Sequence, residues 1–262
     1  MDPNQRQKIQ QEFASISRAH WHRAPSRAAR QARLLAAWIR PHENDLILDA
    51  ACGAGSLARV MARAGARVTG IDLCPQMVRL AKETPMPNGS APRPTFAIGN
   101  VELLPYANGH FSLTTCTNSF ANYPDPLQVL RELARVTHHQ GRIIVADVIA
   151  PEDPAKRTFL NCIEGLRGHI YTRILKHSEF LTLFREAGLR LVSSQLHRRS
   201  QRFHEWLRLS PAASRHGRAR RLRRLILASA EGDGAGLRPR TVGREIILHY
   251  LTEWFLLQRV LQ

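Results

Sequence analysis

The sequence is short of cysteine, acidic residues and long apolar runs, and each shortage excludes a class of protein. Only four of the 262 residues are cysteines, and none of them forms the CxxC pair of a zinc or redox motif. No run approaches the roughly 20 apolar residues of a membrane span. Residues 1–8 are polar, unlike a signal peptide. A cytoplasmic protein without a metal site or disulfides is therefore expected.

Basic residues outnumber acidic ones by 38 to 21, which gives a formal net charge of +17. Such a surface attracts polyanions, so nucleic acid, a phosphorylated substrate or an acyl carrier is one interpretation. The favoured alternative is that GC-rich codons, rather than a ligand, account for the excess of basic residues, because nearly all of them are arginines. The densest basic segment, residues 215–224, fits an amphipathic helix with Leu222, Leu225 and Ile226 inside and solvated arginines outside. The other interpretation of this segment is a binding site for phosphate or nucleic acid.

Short apolar runs alternate with helical patterns over the first 150 residues. This rhythm predicts an α/β fold, a Rossmann-like parallel sheet with helices on both faces. Further helices and two more strands are expected after Pro151, with residues 201–230 helical and arginine-rich. The predicted strands are 46–51, 66–71, 95–98, 111–117, 142–148, 189–196 and 254–260. Three parts are expected: a helical cap (1–40), a cofactor-binding core (41–150) and a C-terminal half with helical lids (151–262).

The strongest local signal is Leu46–Gly55, with the sequence LILDAACGAG. A buried strand ends here in a tight turn, and Gly53 and Gly55 let the backbone approach a ligand closely because they lack Cβ. Asp49, at the end of the strand, can accept hydrogen bonds from turn amides or from a cationic amine. The segment therefore predicts a ligand-binding turn.

Two further signals follow the next two strands. In Val68–Leu73, Asp72 stands at a strand tip, where a carboxylate can accept both hydroxyls of a ribose. Leu73 can then lie against an adenine face. In Gly99–Pro105, Asn100 can contact the adenine edge. The order and spacing of the three segments predict a site for an adenosine-bearing cofactor.

A nicotinamide-dependent dehydrogenase shares the first two of these signals. The turn Gly53–Ala58 is compatible with the GxGxxG/A fingerprint of that class. Asp49 argues against it, because a carboxylate beside the turn repels a pyrophosphate but suits the amino group of a methionine moiety.

Four segments together resemble the methyltransferase type 11 group of class I S-adenosylmethionine (SAM)-dependent methyltransferases. That group includes the C-methyltransferases of ubiquinone and menaquinone biosynthesis and many enzymes of bacterial secondary metabolism. The segments are LDAACGAGSLA (48–58), TGIDLCPQMV (69–78), GNVELLPYANGHFSLTTCTNSFANYPDP (99–126) and LRELARVTHHQGRIIVADVIAPED (130–153). The resemblance runs from about residue 13 to residue 153.

The resemblance implies a seven-stranded sheet of order 3-2-1-4-5-7-6, with the last strand antiparallel. It implies S-adenosyl-L-methionine as the cofactor and assigns ten residues to its binding. By this resemblance the turn cradles the methionine part, Asp72 binds the ribose, and the segments after strands three and four contact the adenine edge and the methionine moiety. The ten residues are Asp49, Ala51, Gly53, Gly55, Asp72, Leu73, Asn100, Val101, Asn118 and Ser119.

The sequence departs from the family pattern at two of these positions. The family usually has glycine where Ala51 stands and aspartate where Asn100 stands. Alanine is tolerable if residue 51 avoids positive φ. Asn100 keeps an acceptor oxygen for the adenine amine but loses the charge.

Methyl transfer from a sulfonium depends mostly on positioning and desolvation, since the leaving group is already good. A hydroxyl or acidic carbon nucleophile also needs a general base, usually histidine. His169, with Tyr171 beside it, is the preferred candidate; His20, His22 and His177 are the others. For each of them a structural role is the competing interpretation.

The sequence thus predicts a methyltransferase that acts on a small-molecule biosynthetic intermediate at oxygen, nitrogen or carbon. The basic surface favours an acidic intermediate. A nucleic-acid methyltransferase is the alternative that the charge favours. A repurposed member of the fold, catalysing for example a cyclisation, is a third hypothesis. The acceptor and the choice between monomer and homodimer stay open.

Overall fold

A computed structural model describes residues 25–86, 92–167, 173–208, 216–230 and 232–260, together with Gln7, Gln10, Gln11, Ala14 and Ser210. The strands are β1 (Leu46–Ala50), β2 (Arg67–Asp72), β3 (Thr95–Ile98), β4 (Phe111–Thr117), β5 (Thr137–Val148), β6 (Leu189–Arg202), β7 (Arg240–Val242) and β8 (Glu245–Arg259). The helices are α1 (Pro25–Ile39), α2 (Ser56–Arg63), α3 (Pro75–Glu83), α4 (Pro126–Val136), α5 (Pro154–Arg167), α6 (His177–Glu186), α7 (Phe203–Arg208) and α8 (His216–Ala228).

The described strands form one mixed sheet of order β3-β2-β1-β4-β5-β8-β6, with β7 paired to β8. Strands β1 to β5 are parallel, and β8 runs antiparallel to both β5 and β6. The expected order 3-2-1-4-5-7-6 is confirmed, except that the short β7 makes the chain's last strand the eighth. The carboxyl ends of β1, β2 and β4 therefore meet at one edge, around the point where the strand order reverses.

Apolar side chains of the sheet are buried on both faces. On one face, Ile47 and Leu113 pack with Leu35 of α1 and Met61 of α2. On the other face, residues of α4 and α6 cover Leu48 and its neighbours. Burying this surface supplies the main stabilisation, at about 25 cal/mol per Å² of apolar area, and it holds the ligand edge of the sheet rigid.

Three predicted boundaries were wrong. Strand β5 begins at Thr137 rather than at residue 142, because the chain pairs with β4 before and after an irregular stretch that leaves His138 and His139 exposed. Strands β6 and β8 are much longer than predicted, since they pair with each other from Leu189 to Arg202. Residues 201 and 202 are consequently strand, not helix.

The basic segment is partly an amphipathic helix, as expected. In α8, Leu222 and Ile226 are fully buried and pack in a third apolar cluster with Trp206 and Leu248. Leu225 is half-buried, and the described arginines of the segment face solvent. Among the residues that the structure describes, none of the helices has both the length and the apolar character of a membrane span.

Candidate functional site

The chain turns sharply after β1. Ala51, Gly53 and Gly55 adopt positive φ angles of 55°, 53° and 73°. The Cys52 amide donates to the Ile71 carbonyl of β2 at 3.0 Å, and the Gly55 amide donates to the Cys52 carbonyl at 2.9 Å. The turn is therefore fastened both to itself and to the neighbouring strand.

Ala51 does not avoid positive φ, which was the condition for tolerating alanine at this position. An L-residue in the left-handed region costs roughly 1–2 kcal/mol. Such strain persists only where the surroundings over-determine the conformation. The hydrogen bonds of the turn provide that constraint here.

Asp72 joins the tip of β2 to the turn. Its Oδ2 accepts from the Gly53 amide at 2.8 Å, and its Oδ1 accepts from the Cys74 amide at 2.9 Å. Burial raises the pKa of this carboxyl, and the two amide hydrogen bonds oppose the rise. Each oxygen keeps a second lone pair, so the carboxylate can still accept hydrogen bonds from a ligand.

Asp49 lies at the end of β1 and is 1% exposed. Thr115 donates to its Oδ1 at 2.8 Å, whereas its Oδ2 has no hydrogen-bond partner within the described part of the chain. Burial raises the pKa of Asp49 to about 7, and the nearby Asp72 charge adds to the rise. A buried carboxylate oxygen without a donor is a suitable place for a cationic amine.

The two carboxylates line one cavity of about 290 Å³ at this edge of the sheet. Nine of the ten predicted cofactor-binding residues lie in its wall. They are Asp49, Ala51, Gly53, Asp72, Leu73, Asn100, Val101, Asn118 and Ser119. The sequence pattern therefore located a real concavity.

Gly55 is the exception, since it is not part of the cavity wall. A Cβ built on it would lie 2.5 Å from Cζ of Phe96, a distance that real Cβ atoms do not adopt. The glycine thus lets Phe96 pack beneath the turn.

We expect Gly55→Ala to lower the free energy of unfolding by about 2–4 kcal/mol, from left-handed strain and overpacking together. Urea denaturation of the two proteins measures this difference. Gly217→Ala is the matched control, because Gly217 has negative φ and open space around it. A loss in Gly55→Ala no larger than in the control would contradict the packing role.

The remainder of the wall comes from side chains that the sequence pattern did not single out. Gln31 and Leu35 of α1, Met77 of α3 and Asn122 all line the cavity. The 3.6-residue apolar period predicted that α1 is a helix, but it did not predict that this helix lines the cavity. Tyr123 lines the cavity and also belongs to the apolar cluster that contains Phe120.

Two described residues near the N-terminus contact the site, while the helical cap over residues 1–40 stays a prediction. The Gln10 side chain donates to the Leu73 carbonyl at 2.9 Å, and Ala14 packs against a cluster that contains Met77. The candidate bases His20 and His22 lie outside the described residues, as do Phe13 and Trp21.

The Asn100 side chain makes two hydrogen bonds within its own turn. Its Oδ1 accepts from the Glu102 amide at 3.0 Å, and its Nδ2 donates to Glu102 Oε2 at 3.4 Å. This turn holds Val101 in the wall of the cavity, where it is 5% exposed. A second lone pair on Oδ1 is still available to a ligand amine.

Asn118 and Ser119 follow β4. Asn118 has a positive φ of 54°, a conformation that asparagine tolerates better than most residues. The amides of Ser119 and Phe120 both donate to Oδ2 of the buried Asp147 at 2.8 Å. Asp147, at the end of β5, thereby fixes the turn in which Asn118 lies.

A second cavity, of about 240 Å³, shares Asn118 with the first. The chain alternates between the two spaces, since Ala121 lines the second cavity and Asn122 lines the first. The other lining residues of the second cavity are Asp147, Val148, Glu164, Arg167, Ile174, Arg199, Ser200, Gln201, Trp206 and Tyr250. Sequence analysis assigned no site role to these residues.

The predicted catalytic pair, His169 and Tyr171, lies outside the described residues. His177, another candidate base, is described: its Nδ1 lies 2.8 Å from Oε2 of the buried Glu253. It lines neither of the two cavities. This contact supports the structural interpretation of His177.

Residues 48–145 match a family described as a methyltransferase domain. The methyltransferase YcgJ of Bacillus subtilis is 30% identical over 138 residues, which are 53% of this chain and 54% of YcgJ. A ubiquinone biosynthesis O-methyltransferase of Paracidovorax citrulli is 29% identical over 166 residues, or 60% of this chain and 68% of that enzyme. The alignments thus span about half of YcgJ and about two thirds of the Paracidovorax enzyme.

Solved structures share the fold over most of the chain. The crystal structure of YcgJ has a TM-score of 0.76 at 21% identity and covers 88% of this chain and 99% of that one. A geranyl diphosphate methyltransferase in complex with SAM has a TM-score of 0.62 at 17% identity and covers 88% and 85%. The [4+2]-cyclase SpnF has a TM-score of 0.61 at 19% identity and covers 89% and 81%.

The sheet order, the turn after β1 and the family match together define the class. Residues 48–145 carry a methyltransferase domain of this family, and the sheet has the strand order expected for its class I members. The predicted family and fold are confirmed.

Proposed function

We propose that the protein transfers a methyl group from SAM to a small molecule. The observation that carries the proposal is a pair of carboxylates on one cavity, Asp49 buried and Asp72 half-buried. Asp49 leaves an oxygen without a donor, and Asp72 is fixed by two backbone amides. An adenosyl amino acid has the matching groups, an ammonium at one end and a ribose diol at the other.

The residues around the cavity fit this cofactor. Asp49 would hold the ammonium, Asp72 the ribose hydroxyls, and Leu73 and Val101 the apolar faces of the adenine. When bound, the cofactor supplies a methyl group on a positively charged sulfur. The chain's contribution is to orient the reactants and to exclude water, which is where most of the rate enhancement for such a displacement arises.

The acceptor would approach from the second cavity, because the two spaces meet at Asn118. Ser119 and Asn118, held by Asp147, form the partition between them. His169 and Tyr171 stay the proposed proton acceptor and its neighbour. They follow Arg167, the last residue of α5, which lines the second cavity.

Affinity for S-adenosylhomocysteine should rise with pH. With the pKa of Asp49 at about 7, the carboxylate that attracts the ligand ammonium is mostly protonated at pH 6 and mostly ionised at pH 7.5. Calorimetric titration should give roughly 8-fold weaker binding at pH 6 than at pH 7.5. Asp49→Asn should bind more weakly and lose most of this pH dependence. A smaller dependence should remain, because burial also raises the pKa of Asp72.

The free protein should show the opposite trend in stability. The folded pKa of Asp49 lies above its unfolded value, so ionisation opposes folding and the free energy of unfolding falls as the pH rises from about 4 to about 7. Affinity that does not change with pH in the native chain would contradict the role assigned to Asp49.

The two rival functions predict different products. A nucleic-acid methyltransferase would bind RNA with steep salt dependence, and the exposed arginines of α8 and the net charge of +17 favour it. A repurposed enzyme is illustrated by the cyclase SpnF, which shares the fold. Mass spectrometry of reaction products tests the proposal, because methyl transfer adds one methylene to the acceptor and a cyclisation adds nothing.

A further inference from the structure

We propose that the second cavity recognises a small, single-ring acceptor through a carboxylate group. This inference rests on the proposed function, and it adds the chemistry of the acceptor. The recognising groups are N–H donors on β6 and α7: Arg199, Gln201 and Trp206.

The acidic groups of this cavity are already engaged. Asp147 accepts from the amides of Ser119 and Phe120 at 2.8 Å and from that of Val148 at 2.7 Å. Glu164 accepts from Arg167 Nη1 at 2.9 Å and from the Tyr250 hydroxyl at 3.3 Å. The cavity wall therefore has little acceptor capacity to offer a ligand that is rich in donors.

Two donors are left over. Gln201 Nε2 and Trp206 Nε1 are buried and have no hydrogen-bond partner in the described ranges. A buried donor that stays unsatisfied costs about 1–3 kcal/mol. A ligand oxygen that accepts from these groups removes this cost, so the wall selects for hydrogen-bond acceptors.

Trp206 is held in place before any ligand arrives. Arg167 Nη2 donates to its carbonyl oxygen at 2.8 Å, and the Arg167 guanidinium lies 4.3 Å from the centre of its ring. The indole is 1% exposed. A donor fixed in this way loses little conformational entropy on binding.

Charge distinguishes a carboxylate from a neutral carbonyl. The half-buried Arg199 lies on the Asn118 side of the cavity, where its Nη1 makes a long contact of 3.4 Å with Asn118 Oδ1. A guanidinium presents paired N–H groups that match the two oxygens of a carboxylate. An anion at this point would lie beside the partition between the two cavities.

The size of the cavity limits the acceptor. An apolar cavity of about 150 Å³ holds benzene, and this one measures about 240 Å³. Ala121, Val148 and Ile174 provide apolar wall. One ring with a carboxylate fits this volume.

The test uses benzoate, benzamide and phenyl phosphate as probes on protein saturated with S-adenosylhomocysteine, followed by NMR titration. Benzoate should bind at least about 10-fold more tightly than benzamide. Gln201→Met and Trp206→Phe should each weaken benzoate about 5- to 10-fold. Gln195→Met, an exposed position on the same strand and outside this cavity, should change nothing.

Equal binding of benzoate and benzamide, tighter binding of phenyl phosphate, no binding of benzoate, or unchanged affinity in both variants would overturn the carboxylate assignment. Calorimetry with S-adenosylhomocysteine on the same proteins separates the two proposals. If that ligand binds and benzoate does not, only the acceptor chemistry is wrong. If that ligand fails to bind the native chain, the proposed function itself is wrong.

Discussion

Replacing Asp72 by alanine should weaken the binding of S-adenosylhomocysteine by at least about 100-fold. The variant removes two charge-assisted hydrogen bonds to the ribose, each of which contributes about 1.5–3 kcal/mol. It also releases the Gly53 amide from its partner at 2.8 Å, so the turn that faces the methionine part loosens. Isothermal titration calorimetry of both proteins measures the effect.

Asp72→Asn is the control for the chance that Asp72→Ala loses affinity only because it misfolds. Asparagine keeps one acceptor oxygen for the Gly53 or Cys74 amide, so the turn should survive while the charge toward the ribose disappears. We expect an affinity between those of the native chain and Asp72→Ala, and a loss of about 1–3 kcal/mol in stability from the one backbone amide that loses its acceptor. Affinity equal to native in both variants would show that the ribose does not lie at Asp72.

Gly53→Ala should abolish most of the cofactor affinity at a small cost in stability. Gly53 lines the first cavity, and a Cβ built on it would meet no protein atom within 4 Å. The added methyl therefore occupies the space assigned to the ligand. We expect binding of S-adenosylhomocysteine to weaken by about 10- to 100-fold. The left-handed backbone should cost about 1–2 kcal/mol of stability.

Gly188→Ala supplies the control for that backbone cost. Gly188 also has positive φ, at 71°, and open space around its would-be Cβ, but it does not line the cavity. Both variants should lose similar stability in urea denaturation, and only Gly53→Ala should lose ligand. Equal ligand affinity in the two variants would place the cofactor away from the turn.

The site around β1 and β2 was predictable because its information is local. A buried strand, a glycine turn and an acidic strand tip each occupy fewer than a dozen residues. In a parallel sheet, neighbouring strands deliver their carboxyl ends to the same edge. The two predicted segments do meet at this edge, since the Gly53 amide donates to Asp72 Oδ2 at 2.8 Å.

The long hairpin of β6 and β8 was only partly predictable for a physical reason. Most side chains of β6 are exposed, and its second half is rich in arginine, so no apolar alternation marks it as a strand. Its conformation depends on pairing with β8, about 50 residues later in the chain. Tertiary pairing of this kind overrides local propensity.

The second cavity stayed hidden for the same reason. Gln201 belongs to the unpredicted half of β6, and Trp206 lies in a segment that the sequence predicts only as helix. Their common feature, a donor nitrogen buried without a partner, arises when α5, α7 and β8 pack together. No residue spacing in the sequence encodes that feature.

The most direct test of the central claim is a crystal structure of the chain with S-adenosylhomocysteine. The account predicts the ligand in the first cavity, with its ribose hydroxyls hydrogen-bonded to Asp72 and its ammonium at Asp49 Oδ2. A ligand bound elsewhere, or a cavity filled by the protein's own side chains, would contradict it.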